Sequence, residues 1–134
     1  MAFGAPMAED LAADAAVLEV EAEALDATRP GATLGTVLER IQAAYARVGR
    51  ANAWREHHQG GPTGYLARER VATPGDGAVL PPGAAVAWNP SLPGAKSEDT
   101  VLVQHDGRLD VLTLDPRWPT TAVAGRRRPA VWVR

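Results

Sequence analysis

Cysteine is absent from this chain of 134 residues. Disulfides, zinc knuckles, iron–sulfur clusters and cysteine nucleophiles are therefore excluded. Long apolar runs are also missing, so no stretch reads as a membrane span. The N-terminus has neither a basic n-region nor a continuous apolar run, so no secretory signal is expected and a cytoplasmic location is. Aromatics make up only 5%, four of them tryptophan. Lysine is almost absent: Lys96 is the single one among 14 basic residues. With abundant Ala, Gly and Pro, that bias reads as the codon usage of a GC-rich genome. The formal net charge of −2 gives no general reason to expect a nucleic-acid partner.

What is present fits one globular domain. The hydrophobic fraction is 46% and the charged fraction 22%, which argues against disorder. A chain of this length can bury about two-thirds of its unfolded surface in one core. Charge is unevenly spread. Residues 1–26 hold seven acids and no Lys or Arg, while five arginines and no acid follow Asp115. The two ends can attract one another, within a chain or between chains.

Residues 1–7 read as a disordered end. From Glu9 to about Ala27 the spacing is helical, with Leu11, Ala15, Leu18, Ala22 and Leu25 on one stripe. Pro30-Gly31 stops that helix near Thr28. Thr33 then caps a second helix whose face carries Leu34, Val37, Leu38, Ile41, Tyr45 and Val48, with Gly49 as its stop. After Arg50 the helical period disappears. Ala85–Trp88 reads as a strand ending at Asn89-Pro90, and Thr100–Gln104 as another. Asp106-Gly107 marks a hairpin that returns through Leu109–Thr113. The tail from about 125 is Arg-rich. The expectation is an α+β domain over 8–134, with two N-terminal helices packed on a curved, mainly antiparallel sheet and three to five strands.

Chemistry concentrates in two places. The first is Trp54–Tyr65, with His57 and His58 beside glycines that permit close backbone approach. Neighbours in an extended chain point to opposite sides, so at most one of the two histidines faces a given site. A histidine beside glycine serves as a structural hydrogen-bonder more often than as a ligand. The second is Trp88–Val103, where Glu98-Asp99 opens a strand after a Pro/Gly loop. A solvated strand start and a carboxylate ligand aimed into a pocket both fit that spacing. Trp54 and Trp88 flank these places, as ordinary packing or as walls of an apolar pocket. His105 sits beside a turn, and Arg126-Arg127-Arg128 near Trp132 reads as a solvated tail or as a partner for acids more readily than as a phosphate contact.

His58-Gln59-Gly60-Gly61, Ala67-Arg68-Glu69, Val86–Pro90, Ser97–Val103 and Asp106-Gly107 form an ordered series. It resembles the C-terminal half of the pita-bread metallopeptidases, the family of methionine aminopeptidase, Xaa-Pro aminopeptidase, prolidase and creatinase. The resemblance covers roughly residues 8–115. It implies two divalent metals (Mn, Co or Zn) held by two aspartates, a histidine and two glutamates. His58 matches the histidine, Glu98 the last, bridging glutamate, and Asn89 stands where the first glutamate belongs. The aspartates lie in the half this chain lacks. A second histidine that often contacts substrate is replaced by the neighbourhood Leu66-Ala67-Arg68. His57, Glu69, Trp54 and Trp88 are the candidates for touching substrate or supporting the ligands.

Carboxylates neutralise a metal's charge, which an Asn carbonyl does not. Two function classes follow from the resemblance. One is a truncated metallopeptidase-like domain with a degenerate metal site, acting on N-terminal or Xaa-Pro peptide bonds. The other is a non-catalytic module that holds a peptide or a protein partner. A half fold leaves an apolar seam, so a homodimer or heteromer through that seam is expected, without nucleic acid or membrane. A fragment of a longer gene product is a third reading.

Overall fold

A computed structural model describes residues 3–134. In chain order the elements are α1 (Ala8–Ala27), α2 (Leu34–Arg47), a 3-10 turn (Ala53–Arg55), β1 (Gly60–Pro62), β2 (Ala85–Trp88), β3 (Ser91–Leu92), β4 (Ala95–Lys96), β5 (Asp99–Val103), β6 (Leu109–Val111), β7 (Thr120–Val123) and β8 (Arg126–Pro129). The four-stranded antiparallel sheet has the order β1-β2-β5-β6, and β3-β4 and β7-β8 form separate two-stranded pairs. The α+β expectation of two helices on a mainly antiparallel sheet therefore holds. Of the end segment 1–7, Met1 and Ala2 lie outside the described residues, and the Gly4 amide donates to the Arg134 carbonyl (2.8 Å).

Both helices end where their residues say they should. Thr28 closes α1 through its own amide and through its hydroxyl, which donates to the Ala24 carbonyl at 2.7 Å. Thr33 caps α2 by accepting from the Thr36 amide at 3.1 Å. The segment 76–80 zips onto this junction: Leu34 and Gly35 donate to the Ala78 and Asp76 carbonyls, and Leu80 donates to Ala32. A Cβ on Gly35 would lie 2.7 Å from the Asp76 amide, so only glycine fits there.

The core lies between the helices and one face of the sheet. Val17, Val20, Leu25, Leu34, Val37, Ile41, Tyr45, Val86, Trp88, Val101 and Val103 are its most buried members. Alternation along β5 is clean: Asp99, Val101 and Val103 are buried, and Thr100 and Leu102 are half-buried. The stripe expected on α1 is only part of its buried face. Leu11 and Ala15 are exposed, whereas Val17, Val20, Glu21 and Ala24 are buried with Leu18, Ala22 and Leu25. The reason is that α1 is covered on several sides, by α2, β2, the β3-β4 pair and β7. The strand expected to run to Thr113 ends at Val111, because the Thr113 hydroxyl turns back to donate to the Asp99 carboxylate.

Candidate functional site

The sheet register brings the two chemistry-bearing segments together. Gly60 pairs with Trp88, and Trp88 with Asp99. One residue outward, the Asn89 amide donates to the Gln59 carbonyl (3.0 Å), so Gln59, Asn89 and Glu98 end three adjacent strands at one level. Gly60 and Gly61 hold backbone angles (φ 119° and 152°) that other residues rarely adopt, and a Cβ on Gly61 would collide with the Arg70 carbonyl. That closeness lets the loop 63–72 run along the free edge of β1. Glu69 donates its amide to the Pro62 carbonyl and Ala72 to that of Gly60, both at 2.9 Å.

The loop delivers Arg68 to Glu98. Arg68 Nη2 lies 2.7 Å from Glu98 Oε1, and Lys96 Nζ lies 2.7 Å from Glu98 Oε2. Each carboxylate oxygen thus faces its own cation. Burial pushes the Glu98 carboxyl up, but hydrogen bonds from Lys96 and Arg68 outweigh it and hold the group below the usual glutamate value. His58 stands within electrostatic reach of the same three side chains. Desolvation first, then the charges of Arg68 and His57, hold its pKa below 6.5 against the pull of Glu98. His58 and Glu98, the two matched ligand positions, lie within electrostatic reach of one another, and among the described residues no hydrogen bond joins them.

The other candidates have defined places. His57 Nδ1 donates to the His58 carbonyl (2.5 Å), and its Nε2 hydrogen-bonds the Ser91 hydroxyl. The Tyr45 hydroxyl donates to the Ser91 carbonyl at 3.0 Å and accepts from the Ser91 amide at 2.9 Å. His57 is thus tied into the join between α2 and β3. Trp88 is fully buried, and its indole donates to the Thr28 hydroxyl (2.8 Å), so it is a core residue that links β2 to the end of α1. Trp54 is half-buried beneath the Arg55 guanidinium, 4.6 Å from the ring centre. Glu69 is exposed and accepts from the Leu66 amide at 3.2 Å, which shapes its own loop. Asn89 is buried, and among the described residues its side-chain oxygen has no hydrogen-bond partner.

A second charged cluster lies on the other face of β5. Arg128 from β8 is wholly buried and pairs with Glu21 of α1 and with Asp99. The Ser97 hydroxyl donates to Glu21 (2.5 Å). Burial raises the Glu21 pKa; Arg128 and the Ser97 hydroxyl oppose it, and the Asp99 charge adds to it. Arg126 pairs with Asp26 of α1 as well, but at the surface. The acidic first helix and the arginine tail do meet within one chain. By pinning Asp99, Arg128 also fixes the start of β5, from which Glu98 projects.

Beside Glu98 lies a cleft of about 220 Å³ lined by Glu98, Asp99 and Asp115, by Thr113 and Thr120, and by Leu114, Trp118 and Pro129. A larger groove, about 750 Å³, lies elsewhere, between the first half of α1 and the Leu92–Gly94 turn, and no histidine lines it. No described helix is long and apolar enough to cross a membrane.

No family model matches the chain, and no curated protein does. Solved structures do. The fold is part of the pita-bread fold. Dipeptidase PepE from Mycobacterium ulcerans superposes with a TM-score of 0.72 and 25% identity, over 86% of this chain and 32% of its own. An X-Pro aminopeptidase from Thermotoga maritima gives 0.73 and 22%, over 87% and 34%. The prolidase from Pyrococcus furiosus gives 0.72 and 23%, over 85% and 35%. The chain spans about a third of the length of these structures.

The donor set does not fit the two divalent ions that the pita-bread resemblance implies. Among the described residues no group of three or more His, Asp, Glu or Cys side chains is placed to hold one. A metal at Glu98 would have to displace two cations and then sit beside them. Asn89 contributes no charge to offset that repulsion. Arg68 and Lys96 escaped the reading of the sequence. The available signal was that Leu66-Ala67-Arg68, the neighbourhood where a second histidine was expected, holds a cation instead, and that the chain's single lysine precedes Glu98 by two residues.

Proposed function

We propose that this chain is a non-catalytic peptide-binding module built on part of a peptidase fold. One observation carries the reading: the counterpart of the bridging glutamate has both oxygens engaged by protein cations. A carboxylate in that state is already charge-compensated, and a divalent ion brought to its remaining lone pairs would be repelled by Arg68 and Lys96. The peptide as ligand class is taken from the neighbours, which are named as dipeptidase, X-Pro aminopeptidase and prolidase. The cleft beside Glu98 offers a short segment an apolar wall in Leu114, Trp118 and Pro129.

The metal-dependent hydrolase reading is favoured by one feature, the electrostatic influence of Glu98 on His58. A paired assay separates the two. Alanyl-proline and alanyl-prolyl-alanine are incubated with the protein and Mn²⁺, Co²⁺ or Zn²⁺, and binding of the same peptides is followed by amide chemical shifts. The module reading expects binding without turnover. Hydrolysis that is lost in His58→Ala and Glu98→Ala would replace it with the peptidase.

We also propose that the chain associates through the apolar seam of its half fold, with a second copy of itself as the simplest partner. Sedimentation over a wide concentration range tests this. A dimer at micromolar concentration is expected, and a monomer at every concentration would remove the proposal.

A further inference from the structure

Away from the Glu98 cleft, the groove of about 750 Å³ runs between the first half of α1 and the turn that joins β3 to β4. Three parts of the chain make its floor: Ala13 and Ala16 of α1, Val48 and Ala53 at and beyond the end of α2, and Leu92 of β3. All five are buried or half-buried and belong to the main core or pack against it, so the floor is apolar and firmly backed. Alanine methyls leave a depth there that longer side chains would fill. The rim is charged. Glu9, Asp10 and Glu56 stand around it with Arg50, which leaves two negative charges in excess. The N-terminus of α1 offsets about half a charge of that excess. Asp10 leans over the turn, where a Cβ on Gly94 would lie 2.7 Å from its Oδ1. Further along α1 the chain supplies arginines to the acids: Arg128 to Glu21, Arg40 and Arg47 to Glu23, and Arg126 to Asp26. Among the described residues, the side chains of Glu9, Asp10 and Glu56 have no ion-pair or hydrogen-bond partner.

We propose that this groove docks a basic, aliphatic segment of a partner protein. An aliphatic side chain lies on the alanine floor, and an Arg or Lys on either side of it reaches the rim carboxylates. Charge complementarity selects this occupant. A neutral or acidic apolar segment would desolvate the rim carboxylates and offer them no cation. A polar cationic segment would leave the apolar floor in contact with water. A second copy of this chain fits less well, because Arg126 and Arg128 of its basic tail are spent on its own acids. The inference is independent of what binds beside Glu98, since no residue lines both places.

Three peptides are titrated into the full chain and read by amide chemical shifts. They are N-acetyl-arginyl-leucyl-leucyl-arginine amide, a control with glutamates in place of both arginines, and a control with glycines in place of both leucines. The first is expected to bind about tenfold or more tightly than either control, the factor that burial of one aliphatic side chain supplies. Its largest shifts should fall at 9–16, 48–56 and 92–94, and its affinity should weaken with added salt. Asp10→Asn combined with Glu56→Gln is expected to erase the preference over the glutamyl control. Ala13→Leu, which fills the floor, is expected to erase the preference over the glycyl control. Unchanged thermal melts confirm that the variants fold, and the surface charge variant decides alone where Ala13→Leu does not. Equal binding of all three peptides, or of none, overturns the docking site. Shifts confined to 58 and 96–98 overturn it as well, while leaving the reading of the Glu98 cleft in place. Concentration-dependent shifts along the groove without any peptide would seat a second copy there and overturn the partner segment.

Discussion

Arg128 shows how much a single side chain can carry in a small domain. It is wholly buried, and two carboxylates from distant parts of the chain, Glu21 and Asp99, depend on it. Removing one partner of such a group strands the others in a poorly solvating interior. Arg128→Met is expected to lower unfolding free energy by about 3–5 kcal/mol in urea titrations. A loss below about 1 kcal/mol would mean that the pair is solvated in solution. Asp76 is a quieter case. The Arg70 side chain, then the Ala78 amide, hold its carboxyl below the ordinary 3.8. A depressed folded pKa contributes stability above the unfolded value, and that contribution is lost as pH falls through the folded one. Stability should therefore drop on acidification below about pH 4, and Asp76→Asn should flatten that limb. Little of this was legible in the sequence. Three adjacent arginines near a chain end look like a solvated run, and nothing local says that the middle of β8 points inward.

At the scale of elements, the sequence was informative wherever one periodicity dominated. α2 has a single buried face and a threonine cap, and its limits follow from Thr33 and Gly49. Ala85–Trp88 and the Asp106-Gly107 hairpin were legible for the same reason. α1 was legible in extent but not in orientation, because burial on several sides spreads its apolar residues beyond one stripe. β1 was not legible, since its Gly60-Gly61-Pro62 core has no β-forming residue. Tertiary approach makes that segment a strand. Gly61 is the test, because any side chain there meets the Arg70 carbonyl. Gly61→Ala is expected to cost about 1–3 kcal/mol, as overpacking usually does. It should also push the loop carrying Arg68 off β1, which amide shifts at 66–72 would register. A fully native stability and spectrum would show that the loop does not depend on this contact.

The whole molecule has part of a peptidase fold but a different charge arrangement at its centre. The order of motifs from His58 to Gly107 was enough to expect that fold, and superposition on dipeptidase PepE and on prolidase supports it. The centre was only half legible. His58 and Glu98 were found by their matches, but Arg68 and Lys96 reach the site through a loop path and a strand pair that no local pattern encodes. Physically, two protein cations at one carboxylate do part of what a metal would do there: they neutralise the glutamate and fix its orientation. They do not provide an activated water. The account therefore turns on whether Glu98 is open to a divalent ion. Calorimetric titration of the purified chain with Mn²⁺ at neutral pH tests this most directly, with His58→Ala and Glu98→Ala measured alongside. The account predicts no stoichiometric heat and no difference among the three proteins. One or two Mn²⁺ bound per chain, with binding lost in both variants, would contradict it.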